Sequence, residues 1–387
     1  MYRIGKEEIE ALTRTINERS LFKINNSLQN TKHVDEALVD LFGVKHAIFM
    51  TSGHAALTSA LIAMGIGPGD EVIVPAYTYI STAMAVIAAG AMPVIADADE
   101  SLTLCPKDFE AKITPHTKAV VPVHIQGFPC KMDEIMQIAK AHDIRVLEDA
   151  CQADGGSYKG VRLGAIGDAG ALSFNYYKIV TCGEGGALLT NNREIFERSL
   201  IYHDSSAIAY FGNQMEDFTT EQFCGSEYRA NELCAAVLGV QLTRMDGILA
   251  DNRRHKAALM EMLAGKAEFA PINDVEGDCA TTLALRFASE EEARRFAKAP
   301  GVGGTLPIDT GKHVYRNWTP IMEKRGALHP LMDPFKFEAN RDIVPDYKAD
   351  MCPKTLDILS RTVYVSINPD WTEAQVREKG DALIAAL

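Results

Sequence analysis

Residues 47–65 read AIFMTSGHAALTSALIAMG. Ala47-Ile48-Phe49-Met50 is a short apolar run of strand length, and Thr51-Ser52-Gly53-His54 is a polar turn. Ala55 to Met64 is then an Ala/Leu-rich helix that stops at Gly65. A small glycine-containing turn that opens a helix leaves several backbone N–H groups free, and the helix dipole favours an anion there. Ser52 or Thr51 acting only as an N-cap would leave the same trace.

The unit recurs on the C-terminal side. Glu71-Val72-Ile73-Val74-Pro75 is a strand, 81–89 a helix and Met92-Pro93-Val94-Ile95-Ala96 a strand. Ala119-Val120-Val121-Pro122-Val123 is a strand, 132–142 a helix and Arg145-Val146-Leu147-Glu148-Asp149 a strand. This alternation predicts a mostly parallel sheet covered on both faces, with ligands where strands end and helices begin. On the N-terminal side the spacing predicts helix, irregular segment and a second helix ending at Gly43. Beyond Asn192 the helices lengthen, at 231–249 and 253–263, followed by strand-like 281–286 and a Glu-rich helix from Ser289. These features predict a large α/β domain over 1–248 and a smaller α+β domain over 249–387.

The 387 residues are 47% hydrophobic and 24% charged, enough for a sizeable core. A net charge of −13 with no basic stripe argues against nucleic acid or an anionic membrane as partner. No apolar run reaches the length of a membrane span, and Met1 to Glu8 lacks the apolar core of a secretory leader. The eight cysteines form neither a CxxC pair nor a zinc-spaced cluster. These features lead us to expect a reduced, cytoplasmic protein with no metal.

Two further positions carry chemistry. Asp149 ends a predicted buried strand, where an acid needs a positive partner such as the protonated nitrogen of a bound heterocycle. A helix N-cap is the plainer reading. Lys178 lies in SFNYYKIVTCGEGG, residues 173–186, after three aromatics and before three glycines. A lysine in an apolar pocket loses proton affinity and becomes a nucleophile toward aldehydes. The aromatics read as packing that desolvates the amine. Singly, each residue suits a surface or capping role. Together they supply an anion site, a stacking face at Tyr79 or Tyr77, a partner for a ring nitrogen and an amine for a Schiff base.

At this point the chain resembles the DegT/DnrJ/EryC1/StrS family of pyridoxal-phosphate-dependent sugar aminotransferases. The resemblance rests on SGHAAL, GPGDEVIVPAYTYIST, VVPVHIQG, EDACQADGGSYKG, GDAGALSFNYYKIVTCGEGGALLTNN and YRANEL, and covers nearly the whole chain. It implies fold type I, as in aspartate aminotransferase, and pyridoxal 5'-phosphate as cofactor. Lys178 then matches the Schiff-base lysine, Asp149 the partner of the pyridine nitrogen, and Gln152 the side chain beside the phenolic oxygen. Ser52, Gly53 and Ser173 match phosphate ligands, and Tyr79, ahead of Tyr77, the stacking aromatic.

Two positions depart from the family pattern. His54 stands where a threonine is usual, and Glu227 where the family's asparagine reaches the phosphate of a neighbouring subunit. Glu227 either turns away, toward Arg229 or an amine on the substrate, or marks a rebuilt phosphate site. The resemblance also implies a homodimer with shared sites, an amino-acid donor (glutamate or glutamine) and a keto or aldehyde sugar acceptor. LFKINNSLQNTKHVDEAL and GKHVYRNWTPI look most like transaminases that make 8-amino-3,8-dideoxy-octulosonate, which would place His313, Tyr315, Asn317 and Trp318 near the substrate. Inososes and nucleotide-linked keto sugars are alternative acceptors. A sugar dehydratase and a non-catalytic scaffold are the rival activities.

Overall fold

The computed structural model describes residues 3–24, 26–205 and 218–387. The N-terminal part holds helices α1 (Lys6–Asn17) and α2 (Asn30–Phe42). There follow β1 (His46–Met50), α3 (Gly53–Ala63), β2 (Glu71–Pro75), α4 (Ser81–Ala88), β3 (Met92–Ala96) and α5 (Pro106–Ala111). Next come β4 (Thr117–Val120), α6 (Met132–Ala141), β5 (Arg145–Asp149) and the small hairpin β6 (Ser157–Tyr158) with β7 (Val161–Arg162). The half closes with β8 (Ala169–Ser173), β9 (Gly186–Thr190) and α7 (Arg193–His203).

These strands form a seven-stranded sheet in the order β1-β9-β8-β5-β4-β2-β3. The run β8-β5-β4-β2-β3 is parallel, and β9 is antiparallel to both its neighbours. Register brings the chemistry to one edge: Asp149 pairs with Ala171, Ser173 with Gly186, and Gly186 with Met50. The carboxyl ends of β5 and β8 therefore lie beside the turn leading into α3, where such sheets hold ligands. Helix α3 is apolar almost all round and buried over most of its length, as a helix between a sheet and other helices must be.

Helix α8 (Glu232–Leu242) is capped by Asn231, whose side chain accepts from the Cys234 amide, and leads into α9 (Met245–Met262). The helix break differs from the sequence expectation: it falls at Thr243-Arg244, and α9 runs unbroken past 253. Thr243 and Arg244 close the end of α8 with tight bonds to Val240 and Gln241, whereas Asp251 stays helical and pairs outward with Arg3 and Arg254. The expected boundary at residue 248 lies inside α9.

The second sheet is antiparallel, β10 (Glu268–Phe269), β11 (Thr282–Arg286) and β12 (Thr362–Ser366), in that order. Between β11 and β12 lie α10 (Glu290–Ala297), α11 (Thr319–Met322), several short 3-10 turns and α12 (Pro353–Ser360), and α13 (Glu373–Ala386) ends the chain. One hydrophobic cluster runs from the large sheet into this part, joining Val74, Leu147 and Leu188 to Leu283, Val365 and Leu383. The 312–315 segment is tied to the loop after β2 by bonds from Thr78 and Ile80 to the His313 and Lys312 carbonyls, and from Tyr315 to Ala76. Among the described residues no single helix is long and apolar enough to cross a membrane.

Candidate active site

Alternation along β5 separates two adjacent acids. Glu148 is fully buried and saturated: it accepts from the Gly164, Ile166 and Gly167 amides at 3.0, 2.6 and 2.7 Å, and His124 Nε2 lies 3.0 Å away. Asp149 is 5% exposed and more sparsely served. Thr82 Oγ1 donates to its Oδ2 at 2.7 Å, and the Cys151 amide to Oδ1 at 3.2 Å. Thr82 sits in the first turn of α4, so the carboxylate is fixed from two elements.

The turn into α3 is built on close approach. Ser52, in extended backbone, caps the helix by accepting from the Ala55 amide at 3.1 Å. A Cβ on Gly53 would stand 2.7 Å from Cys151 Sγ and 3.0 Å from Ser173 Cβ. A Cβ on Gly186 would fall on the Ser52–Gly53 backbone. Only glycine at both positions lets the helix N-terminus lie flush against the Ser173 end of β8. His54 follows Gly53 in the first turn of α3, and its buried Nδ1 has no hydrogen-bond partner. Burial holds its imidazole below the usual range, outweighing a bond to the Ser81 backbone. A helix N-terminus, the Ser173 hydroxyl beside it, an orphaned imidazole nitrogen and a buried acid on the neighbouring strand fit a phosphorylated pyridine cofactor.

Lys178 sits in a loop closed by the Phe174 amide to Gly185 and the Cys182 amide to Phe174. Its own amide bonds the Asn175 carbonyl. The aromatic shell expected around the amine is not there. Phe174 is buried against Phe49, while Tyr176 and Tyr177 are 58% and 83% exposed at the Asn175 turn, Tyr177 bordering the cleft without covering the amine. Lys178 instead opens into a cleft of about 350 Å³ shared with Gln152, His313, Thr281 and Thr282. Gln152 Oε1 accepts from the Gln126 amide at 3.1 Å.

Tyr79 reaches this region and Tyr77 does not. The Tyr79 ring lies 5.4 Å from that of His313, with Lys312 Nζ 4.8 Å above it. Tyr77 is 1% exposed, a core side chain. Of the four residues expected near substrate, the structure brings only His313 to the cleft. Tyr315 is fully buried, its hydroxyl donating to Ala349 O and accepting from the Cys352 amide. Trp318 is equally buried, its indole N–H on Lys312 O, and Asn317 is exposed with its amide on Gly311 O. Glu227 turns to Arg229, 2.9 Å away, and Arg229 also pairs with Asp204. The Thr51 amide bonds Tyr228 O, which sets this segment beside the strand end that enters the α3 turn.

Several site residues carry no signal in the sequence. Asn252, Thr281, Thr282 and Ser366 are ordinary polar residues in unremarkable local patterns, Thr82 and Gln126 lie within the quoted motifs but have no chemical cue of their own, and only the fold brings them all to Asp149 or to the cleft. Among the described residues, no group of three or more His, Cys, Asp or Glu is placed to hold a metal ion.

A parallel sheet with a helix N-terminus, a strand-end acid and a lysine at one edge defines a pyridoxal-phosphate enzyme of fold type I. Comparison with known proteins carries this to a family. The DegT/DnrJ/EryC1/StrS aminotransferase family matches residues 3–299, and the chain belongs to it. It is 42% identical to GDP-perosamine synthase of Caulobacter vibrioides over 57% of this chain and 58% of that protein. It is 40% identical to the spore coat polysaccharide biosynthesis protein SpsC of Bacillus subtilis over 98% and 94%. Among solved structures it is similar to 3-amino-5-hydroxybenzoic acid synthase, at 25% identity and a TM-score of 0.80 over 100% and 97% of the two chains. The protein is a sugar aminotransferase whose cofactor is pyridoxal 5'-phosphate.

Proposed function

We propose that Lys178 is the Schiff-base lysine, that Asp149 pairs with the pyridine nitrogen, and that the enzyme moves an amino group from glutamate or glutamine to a keto or aldehyde sugar. The observation that carries this is the opening of Lys178 into the cleft at the sheet edge where Asp149 is held by Thr82. When bound, the cofactor supplies an electron sink through its protonated ring. Asp149 holds the charge that keeps that ring nitrogen protonated. Ser52, Gly53, His54 and Ser173 bind the phosphate, Tyr79 stacks on the ring, and Gln152 lies beside the phenolic oxygen. Lys178 anchors the cofactor and, once released by the incoming amine, carries the proton away from the donor's α-carbon. In the second half it returns a proton at the carbon being aminated.

The acceptor is a sugar with an oxidised carbon. The name of the GDP-perosamine synthase supports a nucleotide-linked keto sugar, whereas 8-oxo-3-deoxy-octulosonate rests only on the resemblance of the 311–321 segment. The enzyme acts as a cytoplasmic homodimer, and Glu227, which shares Arg229 with Asp204, lies toward the partner's site. The test is a screen of keto sugars, inososes and oxidised octulosonate with glutamate and glutamine as donors, beside Lys178→Ala. The wild type is expected to show a visible absorbance band that borohydride bleaches. Lys178→Ala is expected to lack that band and to lose at least about 10³-fold in activity. A Lys178→Ala enzyme that keeps the band and turns over normally would sink the proposal.

A further inference from the structure

The cleft wall carries amides and hydroxyls from four separate stretches, Gln126, Asn252, Thr281-Thr282 and Ser366, beside the apolar Ile248, Ile367 and Pro369. Among the described residues lining the cleft, Lys178 is the one cation and no carboxylate is present. Gln126 has φ 54 and ψ 20, left-handed backbone that a side chain other than glycine adopts only when its surroundings force it. Three bonds do so. Its amide donates to Gln152 Oε1 at 3.1 Å, its carbonyl accepts from Thr281 Oγ1 at 2.8 Å, and its Oε1 accepts from Thr282 Oγ1 at 3.0 Å. The wall is thus a fixed surface.

Asn252 is the member of this wall that is not satisfied. It projects from α9, is 2% exposed, and its Oδ1 has no hydrogen-bond partner. A buried polar atom left open beside the bonded Gln126–Thr281–Thr282 unit is costly unless a ligand completes it. Turning the amide over would present Nδ2 instead, so the position can accept or donate. A hydroxyl does both, whereas a carboxylate or phosphate only accepts and an ammonium only donates. The lack of any other cation on the lining points the same way, because Lys178 is engaged in anchoring the cofactor.

We infer that Asn252 is a specificity residue that hydrogen-bonds one hydroxyl of the acceptor sugar, and that its wall takes an uncharged polyol segment. Any phosphate, nucleotide or carboxylate of the acceptor then extends out of the cleft, away from this wall. The inference rests on the keto-sugar reading above and adds the part of the sugar that is recognised and the residue that does it.

The test separates the two half-reactions by following the cofactor's absorbance in single turnovers of the holoenzyme. Asn252→Leu keeps the shape and removes the polar atoms, whereas Asn252→Asp keeps an acceptor. Leucine is expected to lower kcat/KM for the acceptor half about 10- to 100-fold, mainly through KM, and to leave the donor half within about threefold. Aspartate is expected to recover part of that loss. In a series of deoxy acceptors, the wild type is expected to lose a similar factor at one carbon only, and Asn252→Leu to be indifferent to that deletion. Equal loss in both halves, or no deoxy acceptor whose penalty depends on residue 252, overturns the inference. A wild type that completes the donor half but aminates no keto sugar overturns the functional reading, and this inference with it.

Discussion

Asp149, the proposed partner of the pyridine nitrogen, is held as well as buried. A carboxylate with two donors and room for a third ligand can face a cationic ring without first breaking a strong pair, which the saturated Glu148 next to it could not do. Thr82 supplies the shorter of the two bonds, and a hydrogen bond to a charged group contributes about 1.5–3 kcal/mol. Thr82→Val conserves the shape and removes the donor, so cofactor affinity and kcat/KM should each fall roughly 10- to 100-fold while the unfolding midpoint stays near that of the wild type. Equilibrium dialysis of the cofactor and steady-state kinetics check this, and unchanged values for both would show that Asp149 is placed by β5 alone. The asymmetry between Lys178 and Thr82 shows what a sequence can carry. An amine or an acid at a strand end is chemically conspicuous, whereas a threonine becomes a positioning residue only by lying across from a strand 67 residues away.

The α3 turn shows the same limit for elements. Its strand–turn–helix pattern and its Ser52 cap are legible locally, and the structure has both. What the local pattern does not reveal is why Gly53 and Gly186 are both required, because Gly53 is set by its close approach to Cys151 and Ser173, and Gly186 by the Ser52–Gly53 backbone. The exposure of Tyr176 and Tyr177 at the Asn175 turn was illegible for a related reason: aromatic content predicts burial and carries no sign of direction. The same holds for the 312–318 segment, where one aromatic-rich run divides into core (Tyr315, Trp318) and cleft (His313) by its bonds to 76–80. Gly186→Ala pushes a methyl into the Ser52–Gly53 peptide, and backbone there cannot yield as a flexible side chain would. Overpacking of this kind costs about 1–3 kcal/mol and more where backbone must move. The expected result is a lower urea midpoint together with loss of bound cofactor on desalting, read from the protein-to-cofactor ratio. A Gly186→Ala protein that keeps its full cofactor complement would show that the α3 turn is not the phosphate site.

At the scale of the whole molecule, the cleft is lined by loops of the large sheet, by the β11 and β12 segments of the second sheet and by α9. The domain boundary expected at residue 248 falls in this helix, which serves both parts: Ile248 and Asn252 line the cleft, and Asp251 takes Arg3, itself bound to Asp370 beyond β12. Farther along the helix, Lys256 pairs with Asp278, both almost wholly buried, and its ammonium lies 4.9 Å from the Phe128 ring centre. Asp278 also accepts from the Ala280 amide at 3.0 Å, so the pair fixes the loop that delivers Thr281 and Thr282 to the wall. Removing one partner of a buried pair strands the other charge, which typically costs 3–5 kcal/mol, whereas replacing both can be nearly neutral. Lys256→Met should therefore lower cofactor-free stability by about 3–5 kcal/mol in urea titrations, and adding Asp278→Asn should restore a large part of it. Because the wall hangs on this loop, the single variant should also raise KM for the acceptor sugar more than for the amino donor. Strict additivity of the two substitutions would show that the ion pair does not couple the helix to the wall, and that the cleft is held open by the shared hydrophobic cluster alone.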